Sequence, residues 1–575
     1  MTNDFRNRLK RNLNELFGDL LTDPYIEKLL KRVDTAKEQI SKKTTRRDDL
    51  YNQSTNMLIT YADQIKNGDE SPLTTLSKTL HSLLGEKISH VHILPFYPWT
   101  SDDGFSVSDY KAVSNDYGSW DDLNCFNYKM MYDGVFNHIS KSSDWFKGWL
   151  AGESKYNNYF LSFSKDEIND QSLQDQIAKV TRPRTSPLLT KFETFNGDRY
   201  VWSTFSEDQI DINFSEPNMF YEIIDALLFY FENSADWIRV DAIPFFWKEL
   251  GTNCSHLPKT HLLLKTMRLI TDYLDRNFVL MSESNVPHKE NITYFGNGND
   301  EAHIIYNFSL PPLIIHSLLK EDTNALYNWS NNVDPISEKT TFLNITATHD
   351  GLGVRPLEGL VDKEDIQRIV DAANKNGGKV NYKTLPDGSK TPYELNITWT
   401  SMLYDDNLSI EDNARKIASS HIVTYSYLGI PGIYAHNLFA SKNNNDEVEL
   451  TGINRRINRE KFQQEALLNK LESDPLTKSV FNKLTDALEI KNRESSFHPN
   501  ASKEDLNLDS RVWAYKREAV DKKENILVLF NVSSETITLP NDFGPRVNLL
   551  SQNSKISGGE NIKLAPFEIC WFKAI

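Results

Sequence analysis

Short apolar segments alternate with amphipathic ones through most of this chain. Strand-like runs stand at Asn56–Tyr61 (NMLITY), His90–Phe96 (HVHILPF) and Met130–Phe136 (MMYDGVF). Between the first two runs, Leu73–Leu84 has the spacing of a helix. Alternation of short apolar strands with helices predicts a parallel α/β sheet.

Further apolar runs extend the same alternation toward the C-terminal third. They are Trp237–Asp241 (WIRVD), Phe278–Ser282 (FVLMS), Ile304–Phe308, Phe342–Thr346 (FLNIT) and Thr424–Tyr434 (TYSYLGIPGIY). Over this length, the pattern predicts an α/β fold of the (β/α)8 TIM barrel type.

Five regions follow from where the pattern changes. We expect an N-terminal helical extension over 1–53, with an apolar stripe at Leu9, Leu13, Leu16, Leu20 and Leu21. The barrel should occupy 54–137 and 217–498, with an inserted domain at 138–216 and a long loop at 351–397. Residues 499–575 contain short alternating segments without helices, which predicts a C-terminal antiparallel β domain.

Composition narrows the class of protein. Hydrophobic residues make up 39% and charged residues 25% of the chain, as in ordinary globular proteins. The net charge of −16 argues against nucleic acid or an anionic membrane as a partner. Cys125, Cys254 and Cys570 are too scattered for a disulfide framework or a zinc site. No signal-peptide pattern or run of 18 apolar residues is present, so we expect a cytoplasmic protein. The sequence does not indicate an oligomeric state.

Acidic residues follow several of the predicted strands, and two of them suggest a reaction. Asp241 and Glu283 are 42 residues apart, which fits one β–loop–α unit and lets them face one another across a cleft. Paired carboxylates of this kind carry out glycoside transfer. Arg239, two positions before Asp241, should keep Asp241 ionised, as a nucleophile must be. Glu283 has no cationic neighbour in sequence and could carry the proton. Arg239 and Asp241 alone could equally form a structural ion pair.

The motifs resemble a known superfamily. DGVFNH (Asp133–His138), IRVDA, the glutamate of LMSES and THD match, in order and spacing, the four signature regions of the alpha-amylase superfamily. QIDIN (Gln209–Asn213) is similar to its fifth region. DDGFSVSDY, ELGTNC, RPR and RRINRE resemble the sucrose phosphorylase subfamily. HLPKTH, SNVPHKENITYFG and THDGLGVRPLEGL are more similar still to the glucosylglycerate phosphorylases within it.

The resemblance implies roles for individual residues. It makes Asp241 the nucleophile, Glu283 the acid/base and Asp350 the carboxylate that stabilises an oxocarbenium-like transition state. Arg239 would orient the nucleophile. Four further residues would surround the glucosyl group: His138 and His349 as hydroxyl ligands, and Asp103 and Arg455 as the pair that closes the far side. The alternatives are structural imidazoles and a solvated surface ion pair.

Two sets of arginines bear on the acceptor. Arg184, with Arg182 as its alternate, could bind phosphate, because a guanidinium matches phosphate oxygens bidentately. The alternative is a proline-shaped loop whose arginines pair with acids of the domain. Arg355 would favour a carboxylate acceptor such as glycerate. Its alternative is a salt bridge to Glu358 or another acid.

The resulting expectation is a retaining glucoside phosphorylase that uses a small sugar substrate and inorganic phosphate, without a metal or organic cofactor. The best guess for the substrate is 2-O-α-glucosylglycerate. The alternatives are a sucrose phosphorylase, a hydrolase or transglucosidase on the same scaffold, and a catalytically silent carbohydrate-binding protein. The presence of all three carboxylates argues against the silent protein.

Overall fold

A closed barrel of eight parallel strands forms the centre of the protein. The computed structural model describes residues 2–42, 50–334, 336–384, 389–551 and 554–575. The barrel strands are β1 (Met57–Thr60), β2 (His90–Ile93), β3 (Lys129–Gly134), β4 (Trp237–Val240), β5 (Val279–Ser282), β6 (Ile304–Tyr306), β7 (Thr341–Asn344) and β8 (Ile430–Tyr434). Each strand pairs with its neighbours in sequence, and β8 closes on β1. The predicted TIM barrel is therefore confirmed.

The last strand is shorter than the sequence suggested. Thr424–Ser426 are the end of the helix Ile410–Ser426, and β8 begins only at Ile430. A buried apolar run has no periodicity that separates helix from strand. Gly429 lies between the two elements at a φ of +124°, and a Cβ there would come within 2.6 Å of the Phe342 carbonyl oxygen. This glycine permits the close turn from helix to strand.

Helices cover the outside of the barrel. The main ones are Pro72–Leu84, Pro217–Glu232, Pro258–Leu274, Leu310–Lys320, Ile410–Ser426 and Pro475–Lys491, with shorter helices at Trp120–Leu123, His288–Asn291, Asn324–Ser330, Trp399–Leu403, Ala435–Leu438, Asn445–Thr451 and Gln464–Ser473. Their N-termini often carry a proline in the first turn, where the missing N–H is not needed.

The predicted N-terminal extension contains two helices, Asn3–Phe17 and Asp23–Ser41, capped by the hydroxyls of Thr2 and Thr22. Leu9, Leu13 and Leu16 are buried as the stripe predicts, whereas Leu20 is 62% exposed because it follows the end of the first helix. Ion pairs from Arg32 to Asp225 and Glu232 attach the second helix to the barrel. Residues 43–49 of the predicted extension lie outside the described residues.

The inserted domain and the predicted long loop both contain regular structure. The insert after β3 has an antiparallel pair, His138–Ser140 with Gln209–Asp211, and a sheet of Ser162–Phe163, Gly197–Trp202 and Leu189–Thr194. Its helices are Asp144–Leu150, Lys165–Asn169 and Gln171–Ile177. The prediction of a long loop at 351–397 is wrong: this segment holds a helix and three antiparallel strands, Lys363–Lys375, Leu352–Gly353, Lys379–Thr384 and Lys390–Asn396. The strands are rich in Lys, Thr and Asn, so no apolar alternation marked them. Residues 385–388 lie outside the described residues.

The C-terminal region is antiparallel, as predicted. Six strands form one sheet, in the order Ser502–Asp509, Val512–Glu518, Asn525–Asn531, Ile569–Ala574, Arg546–Asn548 and Ser554–Ile556. Ile537–Leu539 and Ile562–Leu564 form a separate pair. Residue 335 and residues 552–553 lie outside the description. Among the residues described, no helix has the length and apolar character needed to cross a membrane.

Candidate active site

The parallel register brings Asp241 and Glu283 to the same end of the barrel. Val240 pairs with Gly134 on β3 and with Ser282 on β5. Asp241 and Glu283 therefore occupy equivalent positions, one residue beyond neighbouring strands. The Asp241 N–H donates to the Gly134 carbonyl at 3.1 Å, and the Glu283 N–H donates to the Val240 carbonyl at 3.0 Å. The backbones that carry both carboxylates are thus held by the sheet itself.

Arg239 is a buried cation beneath these carboxylates. Its Nη1 lies 2.7 Å from Asp133 Oδ1 and 2.7 Å from Asp241 Oδ1, and its Nη2 lies 3.9 Å from Glu283 Oε2. His92 Nε2 contacts the other oxygen of Asp133 at 3.0 Å. One guanidinium therefore stands among three carboxylates and contacts Asp241 more closely than Glu283. The Arg239 and Asp241 side chains lie on the same side of β4, as their spacing of two residues predicts.

Burial and mutual repulsion act on the two facing carboxyls. Burial raises the pKa of Asp241, although Arg239 opposes the rise and Glu283 adds to it. Burial also raises the pKa of Glu283, again opposed by Arg239. Two such groups in one cleft favour a single shared proton. Arg239 lies nearer to Asp241 than to Glu283, so its charge favours the ionised form of Asp241 more strongly.

These groups open into one cleft at the carboxyl ends of the barrel strands. The predicted residues that line it are Asp241, Glu283, Asp350, His138, Arg184, Arg355 and Arg455. Asp103, Arg182, Arg239 and His349 are not among its lining residues. Its other walls include the aromatic rings of Phe105, Phe205, Phe245 and Tyr393. Acidic and basic groups therefore share one aromatic-walled cleft.

Arg455 closes one end of the cavity, but with partners other than the predicted one. It forms two contacts with Glu394, at 3.1 and 2.9 Å, and reaches Asp102 Oδ2 at 3.3 Å and Asp350 Oδ1 at 3.1 Å. The predicted pairing of Arg455 with Asp103 is wrong, because the Asp103 carboxylate faces two other arginines.

Those arginines are Arg456, 2.6 Å from Asp103, and Arg459, 2.8 Å from it. Arg459 also lies 3.2 Å from Asp102 Oδ1, so the two adjacent aspartates are joined beneath the cavity. Both aspartates have left-handed φ values, +52° and +51°, which non-glycine residues adopt only where their surroundings impose them. Asp102 lines the cavity and Asp103 lies behind it.

Asp350 is surrounded by groups that favour its ionised form. Burial would raise its pKa, but the guanidinium groups of Arg455 and Arg459 outweigh burial and hold the pKa well below the usual range. In the same way, burial would raise the pKa of Asp102, but Arg455 and Arg459 outweigh burial and lower it. Asp350 is therefore held as a carboxylate.

The two predicted histidine ligands differ in their surroundings. His138 lines the cavity, and its Nε2 lies 2.8 Å from the Phe105 carbonyl and 3.3 Å from Gln209 Nε2. His349 stacks on Phe105, and its ring nitrogens have no hydrogen-bond partner among the described residues. Burial lowers the pKa of His349 to about 3, so its imidazole is neutral. The Nε2 of this neutral imidazole lies 3.5 Å from Asp350 Oδ2.

Of the two arginines of the RPR motif, Arg184 lines the cavity and Arg182 does not. The Arg184 guanidinium lies 5.7 Å from the ring centres of Phe205 and Tyr393, and its Nη1 donates to the Pro183 carbonyl at 3.2 Å. Within the described residues, neither arginine is within 4.0 Å of a carboxylate. Arg184 is thus a cation of the cavity wall without an acidic partner there, whereas Arg182 lies outside the cavity.

Arg355 also reaches the cavity, from the 3₁₀ turn Arg355–Leu357. It does not contact Glu358, which pairs with Lys383 at 2.9 Å. Its one ion pair among the described residues is a contact of 3.5 Å between Nη2 and Glu290.

Several residues of the site were not predicted. Tyr393 and Glu394 belong to the strand Lys390–Asn396, and Asp102 and Arg459 are neighbours of predicted residues. The DDGFSV motif contained both aspartates, so Asp102 could have been named from it. No local pattern marked Glu394, whose strand pairs with Leu352–Gly353 and Lys379–Thr384.

The sequence matches the family model described as "Alpha amylase, catalytic domain" over residues 61–379. Glucosylglycerate phosphorylase from Escherichia coli K12 is 38% identical over 568 residues, covering 98% of this chain and 99% of that protein. The protein of the same name from Allomeiothermus silvanus is 42% identical over 463 residues, covering 79% and 81%. Sucrose phosphorylase from Streptococcus mutans is 28% identical, covering 75% and 86%. The crystal structure of sucrose 6F-phosphate phosphorylase from Thermoanaerobacter thermosaccharolyticum matches with a TM-score of 0.72 at 22% identity, covering 89% of this chain and 98% of that one.

Proposed function

The chain belongs to the alpha-amylase family, among its glycoside phosphorylases, and we propose that its substrate is 2-O-α-glucosylglycerate. The enzyme would transfer the α-glucosyl group to inorganic phosphate and release α-glucose 1-phosphate and glycerate, reversibly. The observation that carries this proposal is that Arg184 and Arg355 line the same cavity as Asp241, Glu283 and Asp350. Two cations beside the reacting carboxylates suit two anionic acceptors, phosphate and glycerate.

In the first half of the proposed reaction, Asp241 attacks the anomeric carbon. Glu283, protonated because burial raises its pKa, donates its proton to the leaving glycerate oxygen. Asp350 remains ionised and stabilises the positive charge that develops on the ring. The product of this step is a glucosyl ester on Asp241.

In the second half, phosphate enters the space that glycerate has left. Glu283 is now a carboxylate and accepts the phosphate proton, while a phosphate oxygen attacks the anomeric carbon and releases Asp241. Arg184 would hold the phosphate, since it has no carboxylate within ion-pair distance among the described residues. The two inversions retain the α configuration. These residues account for the chemistry without a metal or organic cofactor.

We propose that the group Asp102, Glu394 and Arg455 closes the glucosyl subsite, with Asp103 supporting Arg459 beneath it. His138 and His349 would bind glucosyl hydroxyls, and Arg239 would orient Asp241. The unpaired Cys125, Cys254 and Cys570 suit the reducing cytoplasm, which we propose as the location.

A closed subsite predicts action on a single terminal glucosyl unit. Maltoheptaose and starch should not be cleaved at internal bonds, because a second sugar would displace the ion pair of Arg455 with Glu394. The measurement is chromatography of products after prolonged incubation with phosphate. Release of maltotriose or maltotetraose from maltoheptaose would show that this end of the cavity is open.

Arg355→Ala should selectively weaken the use of glycerate. A charge-assisted bond to a carboxylate is worth about 1.5–3 kcal/mol, which corresponds to roughly one to two decades in kcat/KM. Arg355→Lys should recover only part of the loss, because it keeps the charge without the planar fork. The measurement is kcat/KM for glycerate and for the neutral acceptor glycerol, with α-glucose 1-phosphate as donor. Equal losses for both acceptors would mean that Arg355 only supports its loop.

An acceptor screen tests the proposed function as a whole. Phosphate release from α-glucose 1-phosphate is followed with glycerate, fructose, fructose 6-phosphate and glycerol. Glycerate should give the highest kcat/KM. Preference for fructose would instead identify a sucrose phosphorylase, and phosphate release without an acceptor would identify a hydrolase.

A further inference from the structure

Two segments that have no part in the proposed chemistry contact each other and Arg355. His256 belongs to HLPKTH, in the loop after β4, whereas Glu290 and Tyr294 belong to SNVPHKENITYFG, in the loop after β5. Arg355 itself comes from the loop after β7. These four residues are called the acceptor-side cluster below.

One carboxylate oxygen links the cluster. Glu290 Oε2 lies 3.5 Å from Arg355 Nη2 and 3.3 Å from His256 Nε2. On the far side of the imidazole, His256 Nδ1 lies 2.8 Å from the Tyr294 hydroxyl. Contacts therefore run continuously from a buried tyrosine to the guanidinium on the cavity wall.

The imidazole in this chain is neutral and firmly placed. Burial, with Arg355 nearby, lowers the pKa of His256 to about 4. Nδ1 shares a hydrogen bond with the Tyr294 hydroxyl, whereas Nε2 faces the Glu290 carboxylate at 3.3 Å without a hydrogen bond to any described residue. The backbone of His256 has a φ of +56°, and its N–H donates to the Pro244 carbonyl at 3.1 Å. A non-glycine residue in that conformation is held there by its surroundings.

Arg355 keeps free donors in this arrangement. Its side chain is 15% exposed, and its Nε is buried with no hydrogen-bond partner among the described residues. Glu290 contacts Nη2 alone, and at a distance that is long for a charged pair. The guanidinium is therefore held at one nitrogen, while other N–H groups remain available to a ligand.

From these contacts we infer that Glu290, supported by His256, is a positioning residue for selection of the acceptor carboxylate. It holds the Arg355 guanidinium on the acceptor side of the cavity. Glu283 and Asp350 line the same cavity and are competing anions for that guanidinium. Without Glu290, Arg355 turns toward them and is lost to the acceptor. This inference rests on the proposed function, since it requires Arg355 to bind glycerate.

The variant Glu290→Gln tests the inference, because it keeps the size of the side chain and removes its charge. We expect the KM for glycerate to rise about three- to tenfold, the range for loss of one oriented interaction. The kcat with glycerate, the KM for α-glucose 1-phosphate and the use of glycerol should change less than about twofold on the same reasoning. His256→Asn tolerates the left-handed backbone but is too short to reach Glu290, so it should shift the same constant in the same direction.

Glu358→Gln is the matched control. Glu358 and Glu290 side chains are each 44% exposed, and Glu358 also pairs with a cation, Lys383. Since Glu358 contacts Lys383 and not Arg355, its variant should leave all acceptor constants unchanged. A similar rise in glycerate KM in Glu358→Gln would show that loss of any surface charge in this region has the effect, and would overturn the inference.

A double variant separates positioning from loop support. In the background of Arg355→Ala, Glu290→Gln should cause no further loss with glycerate, because it acts through the missing guanidinium. Additive losses, equal losses for glycerate and glycerol, or a lower glycerate KM in Glu290→Gln would each overturn the inference. If Arg355→Ala itself leaves glycerate use unchanged, the proposed role of Arg355 fails first; if only Glu290→Gln is silent, the present inference fails alone.

Discussion

Asp241→Asn should abolish turnover, with a loss in kcat/KM on the order of 10⁴-fold or more, as found when a covalent nucleophile is removed. The amide keeps the shape of the side chain but cannot form the glucosyl ester. Arg239 keeps its contact with Asp133 at 2.7 Å, so the buried cation is not left alone. The measurement is release of α-glucose 1-phosphate from glucosylglycerate and phosphate.

The control for this variant is its fold. Its thermal unfolding midpoint should stay close to that of the wild type, and α-glucose 1-phosphate should still bind in a calorimetric titration. Turnover within about tenfold of the wild type would rule out Asp241 as the nucleophile, because general effects of charge alone account for losses of that size. Asp350 would then be the next candidate for the nucleophile.

Glu283→Gln should lower phosphorolysis of glucosylglycerate by about 10²- to 10⁴-fold, the usual contribution of a general acid. The glycerate alkoxide is a poor leaving group and needs the proton. Fluoride leaves without one, so phosphorolysis of α-glucosyl fluoride should be far less affected. A loss of the same size with both substrates would show that Glu283 acts in positioning and is not the acid.

The pH dependence of kcat/KM is a second test of Glu283 as the acid. Burial raises the pKa of Glu283, and donation requires its protonated form. In the wild type, kcat/KM for glucosylglycerate should therefore fall as the pH rises through that pKa, and it should also fall at lower pH, where the Asp241 nucleophile takes up a proton. With glutamine at this position nothing titrates, and the alkaline fall should disappear from the residual activity.

The grouping of Asp241, Glu283 and Arg239 could be predicted from local sequence patterns. Asp241 and Glu283 directly follow short apolar runs, and parallel strands of a barrel bring their carboxyl ends to one face. Arg239 is two residues before Asp241, so its side chain lies on the same side of the strand. No knowledge of the loops was needed to expect these three side chains together.

The contacts of Asp102, Asp103 and Arg455 at the rim of the site could not be predicted from the sequence in the same way. Asp102 and Asp103 are adjacent in one motif, yet only Asp102 lines the cavity, and Asp103 pairs with Arg456 and Arg459. A pattern in sequence does not specify a left-handed φ at a non-glycine residue, because the surrounding contacts impose it. The partner of Arg455 was therefore assigned to the wrong aspartate.

The sequence by itself determined the barrel, its insert, the antiparallel C-terminal region and the candidate catalytic carboxylates. Each of these follows from short-range features: apolar period, turn residues and the position of a charge after a strand. Tertiary structure alone decided that Lys390–Asn396 is a strand, that its Glu394 meets Arg455, and that Glu290 rather than Glu358 meets Arg355. The physical reason is that polar rim segments carry no burial pattern of their own. Their conformation depends on partners that are distant in sequence, and only the closed barrel brings those partners together.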